Sequence, residues 1–373
     1  MKRVLLLGAG HAQLAVLRAL AQQRMLGAEV LLISPHERQV YSGMVPGLLA
    51  GRYSPDDCAI DVLPLAASAG VQFVRGRAVA LDAAARTVTL ADGERVVYDV
   101  LSLDTGPVQD RDRVPGARDN ALFVRPIETF LQLWPRARSL ADEDLLDAVV
   151  IGGGAAGVEI ALAIRAALGE RCTITLVSDG PVMASYGKGV QRRVLAALDR
   201  CAVQRLPGRC TGIEASHVLL GTLRVACDMP IMATGGDPPA WLAPSGLALD
   251  AAGFVRVGPT LQCVDHPNVF AAGDLITRDD APHPRSGVYA VRAGPVLAEN
   301  LRRYVAGGTL AHFRPRPHSL NLLALGDGRA IASWNGWSFE GRLMGWWKDH
   351  IDRAFISRYR RLVGPATAHT RAT

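Results

Sequence analysis

The residues best placed to do chemistry lie in two glycine-rich turns. One is Val4-Leu5-Leu6-Leu7-Gly8-Ala9-Gly10-His11-Ala12-Gln13. The other is Val149-Val150-Ile151-Gly152-Gly153-Gly154-Ala155-Ala156-Gly157-Val158-Glu159. In each, an apolar run reads as a buried parallel strand and a helix follows the glycines. Such a turn aims backbone N–H groups and a helix N-terminus at a pyrophosphate. Two copies a domain's length apart imply two dinucleotides, the arrangement of a flavin that exchanges electrons with a nicotinamide. The second copy is complete in Gly152, Gly154 and Gly157; in the first, Gln13 stands where a third glycine would allow close helix–strand packing. A third piece, Asn268-Val269-Phe270-Ala271-Ala272-Gly273-Asp274, is a short apolar strand ending in Gly-Asp. Gly273 lets the backbone approach a ligand. Asp274 offers a carboxylate acceptor, suited to ribityl hydroxyls, at the carboxyl end of a strand.

Ribose hydroxyls are usually gripped by Asp or Glu at the end of the second strand. Here the first unit offers Ser34 and the second Ser178, followed by Asp179. Serine is a weaker acceptor, which suits FAD, with its many other contacts, better than NADH. No arginine stands next to either serine to take a 2′-phosphate, so NADPH is not favoured over NADH.

These turns need elements to hold them. Strand 4–7, helix 12–23 and strand 30–33 form an opening βαβ unit. Segments 86–89 and 96–99, around Asp92-Gly93, read as a hairpin. Segments 319–325 and 329–334, around Gly326-Asp327-Gly328, read as another, followed by a helix over about 345–361. Gly294-Pro295 reads as a helix start, since proline is favoured at the first helical position. A helix N-terminus pointed at a flavin would stabilise its anionic reduced ring. Beyond the doubled glycine turn no internal repeat is visible.

The chain has 373 residues, 49% of them hydrophobic, enough for two or three domains with sizeable cores. Its six cysteines, Cys58, Cys172, Cys201, Cys210, Cys227 and Cys263, form no CxxC pair. That gives no zinc site, and no metal is expected. Scattered cysteines fit a reducing cytoplasm. The N-terminal stretch is broken by Gly8, Gly10 and His11, unlike a signal peptide. No apolar run reaches the ~18 residues of a membrane span. The net charge of +6 is mild, and no basic run calls for nucleic acid.

The order of the glycine turns, with Thr105-Gly106, Thr234-Gly235 and Gly273-Asp274, resembles the two-dinucleotide-binding-domain flavoproteins of the pyridine nucleotide-disulfide oxidoreductase superfamily. Within it the chain is most similar to the type II NADH dehydrogenase and sulfide:quinone oxidoreductase branch. Gly10-His11-Ala12, Tyr41-Ser42-Gly43-Met44-Val45-Pro46-Gly47, Ile60-Asp61, Gly287-Val288-Tyr289-Ala290-Val291-Arg292 and Trp347-Lys348-Asp349 resemble the oxidoreductase module associated with selenide, water dikinase.

The resemblance implies an α/β fold: two Rossmann-like dinucleotide-binding domains, one inserted in the other, plus a small C-terminal α+β unit. An FAD-binding domain would take residues 1–115 and 251–311, an NAD(P)-type domain 116–250, and a hairpin with an amphipathic helix 312–373. Expected FAD contacts are Gly8, Gly10, His11, Ala12, Ser34, Pro35, Tyr41, Gly43, Met44, Ala78, Thr105, Gly106, Gly273, Asp274, Val291 and Gly294. Tyr41 and Met44 would line the flavin. NADH or NADPH would use Gly152, Gly154, Gly157 and Ser178. Glu159 matches a glutamate near the flavin ring in type II NADH dehydrogenases. It would act there as a catalytic group, or else merely complement the helix dipole.

The branch's cysteine chemistry is not carried over. Ala155-Ala156 and the lack of any cysteine after Cys263 argue against persulfide chemistry, and Cys58 alone cannot make a disulfide-reductase pair. The expected activity is hydride transfer from NAD(P)H to flavin and on to a quinone or small acceptor. The alternatives are NAD-independent oxidation of a reduced sulfur or selenium species, or a non-catalytic flavin-binding partner. A selenium-metabolism partner and a homodimer are expected by association. Over 334–361, tryptophans and other apolar residues interleave with Arg342, Lys348, Arg353, Arg358, Arg360 and Arg361. Two readings stand for this stretch: peripheral contact with the inner face of a membrane, or packing on the protein.

Overall fold

The computed structural model describes residues 1–363. The chain begins with β1 (Lys2–Leu7), α1 (His11–Gln22), β2 (Ala28–Ser34), β3 (Gln72–Arg75) and β4 (Val100–Leu103). It continues with β5 (Leu146–Ile151), α2 (Ala155–Leu168), β6 (Cys172–Ser178), β7 (Val203–Pro207) and β8 (Met229–Met232). It ends with β9 (Val269–Ala271), α3 (Gly287–Ala306), β10 (Asn321–Ala324), β11 (Ala330–Trp334), β12 (Trp337–Gly341) and α4 (Arg342–Val363).

Two parallel five-stranded sheets result. The first has the order β9-β4-β1-β2-β3; the second runs from the short strand Leu122–Phe123 through β8, β5, β6 and β7. Val4 to Leu7 and Ala148 to Ile151 are buried throughout, as strands covered on both faces must be. The fold is α/β with two sheets of Rossmann type.

The doubling goes well beyond the glycine turns. Between β3 and β4 lies an antiparallel meander, Ala78–Asp82, Thr87–Leu90 and Arg95–Val97; between β7 and β8 lies another, Gly212–Glu214, His217–Leu220 and Leu223–Ala226. The hairpin around Asp92-Gly93 is therefore two-thirds of a repeated unit. Sequence alone hides the repeat because its meander strands share geometry but few residue types.

The chain crosses between sheets twice, and the crossings meet where Val108 and Asp237 form an antiparallel bridge. Leu242 and Leu247 already pack in the first core, so the return precedes the expected boundary at 251. Val45 and Leu49 reach the other way into the second core.

The C-terminal unit is a three-stranded sheet, not a hairpin alone. β12 joins β11 through a two-residue turn in which Asn335 and Gly336 both have positive φ. β10 and β11 send Leu323 and Ile331 into the second core, while α4 sends Phe355, Ile356 and Tyr359 into the first. This unit thus clamps both halves.

The expected helix start at Gly294-Pro295 needs correction. α3 begins at Gly287, with Ser286 as its N-cap, and carries Pro295 inside. A Cβ on Gly294 would lie 2.5 Å from the Ala15 Cβ and 3.0 Å from the Ala12 carbonyl oxygen. Gly294 is therefore the contact point where α3 crosses α1, and the helix end that can face a ligand is Ser286-Gly287.

Candidate functional site

The first glycine turn closes around a residue that the sequence reading passed over. Asp104 follows β4, and its Oδ2 accepts the N–H groups of Ala12 and Gln13 at 2.8 and 2.9 Å. Gly10 N–H donates to the Asp104 backbone oxygen at 3.1 Å. A Cβ on Gly10 or on Gly273 would stand 2.5 Å from Asp104 Oδ1. Both glycines are thus required by this carboxylate as well as by any ligand. Burial, reinforced by the nearby Asp274 charge and opposed by the two N–H donors, pushes the Asp104 carboxyl up to about 7. The signal in the sequence was a lone acid at the end of an apolar strand, directly before Thr105-Gly106.

Gln13 explains itself. Its side chain is fully buried, and Nε2 donates to the Ser102 carbonyl oxygen at 2.6 Å and to its hydroxyl at 3.2 Å. At the matching position of the second turn, a Cβ on Gly157 would collide with the Gly152 carbonyl oxygen.

Around the first turn stand several groups without partners. Asp274 Oδ1, His11 Nε2 and Arg292 Nη1 are buried and unpartnered among the described residues. Asp274 Oδ2 lies 3.6 Å from the Arg125 guanidinium. Burial, with Arg125 opposing, raises the Asp274 carboxyl. Burial and then the Arg125 charge lower His11 to about 4, so its ring is neutral near pH 7. Gly8, Gly10, His11, Ala12, Thr105, Gly106, Gly273 and Asp274 therefore converge at the carboxyl end of the first sheet. Ser34 ends β2, with Pro35 next to it; its hydroxyl donates to the His36 carbonyl oxygen at 3.0 Å. Ala78 begins the first meander nearby, where Gly76 N–H donates to the Ser34 backbone oxygen. Val291 lies on α3, packed against the core.

Two expected flavin-lining residues are engaged elsewhere. Met44 is fully buried in the first core, which leaves it no open surface for a ligand. The Tyr41 ring stacks on Phe355 at 4.4 Å and meets His11 edge-on at 5.5 Å. Within the Tyr41–Gly47 stretch, Tyr41 and the Gly43 carbonyl oxygen meet α4, while Met44 and Val45 fill the first and second cores.

The second turn is more open. Gly154 caps α2, and a Cβ there would meet nothing within 4 Å. Ser178, at the end of β6, donates its hydroxyl to Gly180 O at 2.8 Å. Met183 N–H donates to Gly153 O at 2.7 Å, folding the following loop against the turn.

Glu159, on α2, faces the C-terminal unit, where its Oε1 accepts the Ala324 N–H at 2.7 Å. Burial pushes its carboxyl up to about 7 despite the opposing Lys348 charge. Lys348 Nζ donates to Gly43 O at 2.5 Å and to Asp352 Oδ2 at 2.7 Å. The Tyr41 hydroxyl lies beside that Asp352 carboxylate, which burial raises and Lys348 opposes. Lys348, Asp352 and Tyr41 thus form a polar cluster between α4 and the Tyr41–Gly43 segment, and the Glu159 carboxyl lies within reach of the Lys348 charge without a direct hydrogen bond to it. Lys348 and Asp352 stand four residues apart on one helix, a spacing the sequence shows without marking a site. An adjoining cavity of about 360 Å³ is lined by Arg52, Tyr53, Asp327, Gly328, Arg342, Trp346, Asp349 and Arg353. A narrower crevice shares Arg52, Tyr53 and Gly328 with it and reaches Gly43 and Lys348.

The six cysteines are all free. No helix among the described residues is long and apolar enough to cross a membrane.

Comparison with known proteins fits this arrangement. The pyridine nucleotide-disulphide oxidoreductase family is matched over residues 2–294. The chain is 25% identical over 357 residues to demethylphylloquinone reductase NdbB of a Synechocystis strain, covering 91% of this chain and 88% of that protein. It is 27% identical over 326 residues to the type II NADH:quinone oxidoreductase NdhA of Mycobacterium tuberculosis, covering 76% and 68%. Among solved structures, the sulfide:quinone oxidoreductase of Aquifex aeolicus superposes with a TM-score of 0.81 at 19% identity, covering 98% of this chain and 93% of that one. That last likeness is one of fold.

Proposed function

This chain belongs to the pyridine nucleotide-disulphide oxidoreductase family, and from that premise we propose that it passes a hydride from NAD(P)H through FAD to a quinone or another small acceptor. It is an oxidoreductase and its cofactor is FAD. The observation that carries the proposal is the doubled turn. Two helix N-termini on two parallel sheets are suited to two dinucleotides, and the Glu159 carboxyl and the Lys348–Asp352 pair lie where the C-terminal unit meets them.

The residues at the first turn fit FAD. Gly8 and Gly10 allow close backbone approach, Asp274 Oδ1 is a buried acceptor without a partner, and His11 Nε2 is a second orphan. When bound, FAD supplies a ring that accepts a hydride and yields electrons singly or in pairs. The work of the chain is to hold it, exclude water and move protons. Ser286 and Gly287 present the α3 N-terminus, which favours negative charge. Glu159, with its carboxyl near 7, is suited to give up or take a proton at neutral pH, and the nearby Lys348 charge favours its ionised form. The acceptor enters by the cavity beside Tyr53 and Trp346.

A membrane surface is the proposed place of work. Trp334, Trp337, Phe339, Leu343 and Trp346, at the end of β11, on β12 and at the start of α4, are each more than half exposed. Phe355, Ile356 and Tyr359 pack on the protein instead, so the two readings of this stretch apply to different parts of it. Flotation with anionic liposomes tests this: binding should be lost when Trp337 and Trp346 are replaced by Ser, and unchanged binding would refute it.

A second reading is favoured by one observation. The Ser178 hydroxyl is spent on Gly180 and a loop packs on the second turn, which leaves a poor ribose grip. Under that reading the donor is a reduced sulfur or selenium species, in keeping with the likeness to the module associated with selenide, water dikinase. Anaerobic addition of NADH, NADPH, sulfide and hydrogen selenide to the flavoprotein, with absorbance read at the flavin band, separates the two. Bleaching by a nicotinamide supports the first reading; bleaching by the chalcogenides alone supports the second.

A further inference from the structure

The doubled architecture allows the two turns to be compared position by position. Gly8 N–H donates to Ile33 O, and Gly152 N–H to Val177 O; Asp104 N–H donates to Leu7 O, and Ala233 N–H to Ile151 O. Gly76 N–H reaches Ser34 O as Gly208 N–H reaches Ser178 O. Asp104-Thr105-Gly106 therefore corresponds to Ala233-Thr234-Gly235. At one position in this frame the first turn carries a carboxylate and the second a methyl group.

That carboxylate is held on three sides. Oδ2 is fixed by two N–H groups at the start of α1, while Oδ1 sits against Gly10 and Gly273. The charged or titratable groups facing it are few: Asp274 beyond Gly273, and, one layer further, Arg125 and His11. No cation among the described residues pairs with Asp104 directly. A pyrophosphate brought to the same helix N-terminus adds negative charge beside an anion that has no counter-ion.

We infer that Asp104 is the positioning residue of the first turn and that it takes up one proton when the dinucleotide binds there. The proton goes to Oδ1, the oxygen not engaged by α1. Neutral Asp104 still accepts the Ala12 and Gln13 N–H groups, so the turn keeps its shape while the repulsion disappears. The second turn, with Ala233, has no such group and binds its ligand without proton uptake. The inference rests on the flavin lying at the first turn.

The test is equilibrium dilution of the FAD-loaded full chain, with released FAD read by its fluorescence, from pH 6.5 to 8.5. Uptake of one proton by a group titrating near 7 weakens binding about 20-fold across that range, since a protonation step changes affinity tenfold per pH unit above its midpoint. Asp104→Asn should bind with less than about a twofold change over the same range. A flat wild-type profile overturns the inference without any variant. So does a slope that persists in Asp104→Asn or Asp104→Ser, which would assign the proton to another group. Failure of wild type and variants alike to hold FAD at any pH would instead remove the flavin reading, and the inference with it.

Discussion

The two glycine turns share a backbone and differ in what fills the space behind it. In the first, a carboxylate wedges between Gly10, Gly273 and the α1 N-terminus, and Gln13 is accommodated because its amide finds Ser102. In the second, the backbone closes on itself: Gly157 abuts the Gly152 carbonyl oxygen, and the α2 N-terminus is left open at Gly154. The same motif therefore needs its glycines for different reasons. At the first turn a glycine makes room for a side chain; at the second it makes room for the chain itself.

Substitutions can break this comparison. Gly157→Ala should have the largest effect, a loss of ~3 kcal/mol or more in urea unfolding, because the obstacle is backbone and cannot move aside. No side-chain replacement nearby should rescue it. Gly10→Ala should cost ~1–3 kcal/mol, since its Cβ meets the Asp104 carboxylate. Here Asp104→Ala in the same chain should restore much of the loss, and absence of rescue would show that the carboxylate is not the obstacle.

The pH dependence of unfolding of the flavin-free protein is the next largest effect. Asp104 and Glu159 are raised to about 7 when folded, so between their unfolded values and pH 7 the folded state binds more protons. Their contribution is present at low pH and is lost as pH rises to 7. His11, lowered to about 4, acts in the opposite sense below 6.5, where the unfolded chain holds the proton. The combined Asp104→Asn, Glu159→Gln variant should therefore lose less stability than wild type between pH 6 and 8, as read from urea midpoints. Equal slopes would contradict the burial assigned to these carboxyls. The smallest effect belongs to Gly154→Ala, whose Cβ meets nothing: stability should change by less than ~0.5 kcal/mol in the same assay, while any nicotinamide affinity falls.

Much of this was legible in the sequence. The continuous apolar runs before the glycines marked both parallel sheets, and Gly273-Asp274 stood out because a strand-end Gly-Asp follows two glycine turns. What escaped depended on tertiary contact. Pro295 signalled a helix start, but the packing of Gly294 on α1 carries α3 back to Gly287. Met44 read as a ligand-facing residue, yet the first core buries it. Asp104 showed only as a lone acid at a strand end, because the partners that give it meaning lie some ninety residues earlier in the chain. Lys348 and Asp352 stand at helical spacing, but the approach of α2, with Glu159, to the C-terminal unit is set by the fold.

The most direct test of the whole account is anaerobic stopped-flow absorbance at the flavin band of the purified protein, with NADH added first and a short-chain quinone second. The account predicts rapid bleaching by NADH and return of the band with the quinone, both slowed in Glu159→Gln. A flavin band that neither NADH nor NADPH bleaches would contradict it.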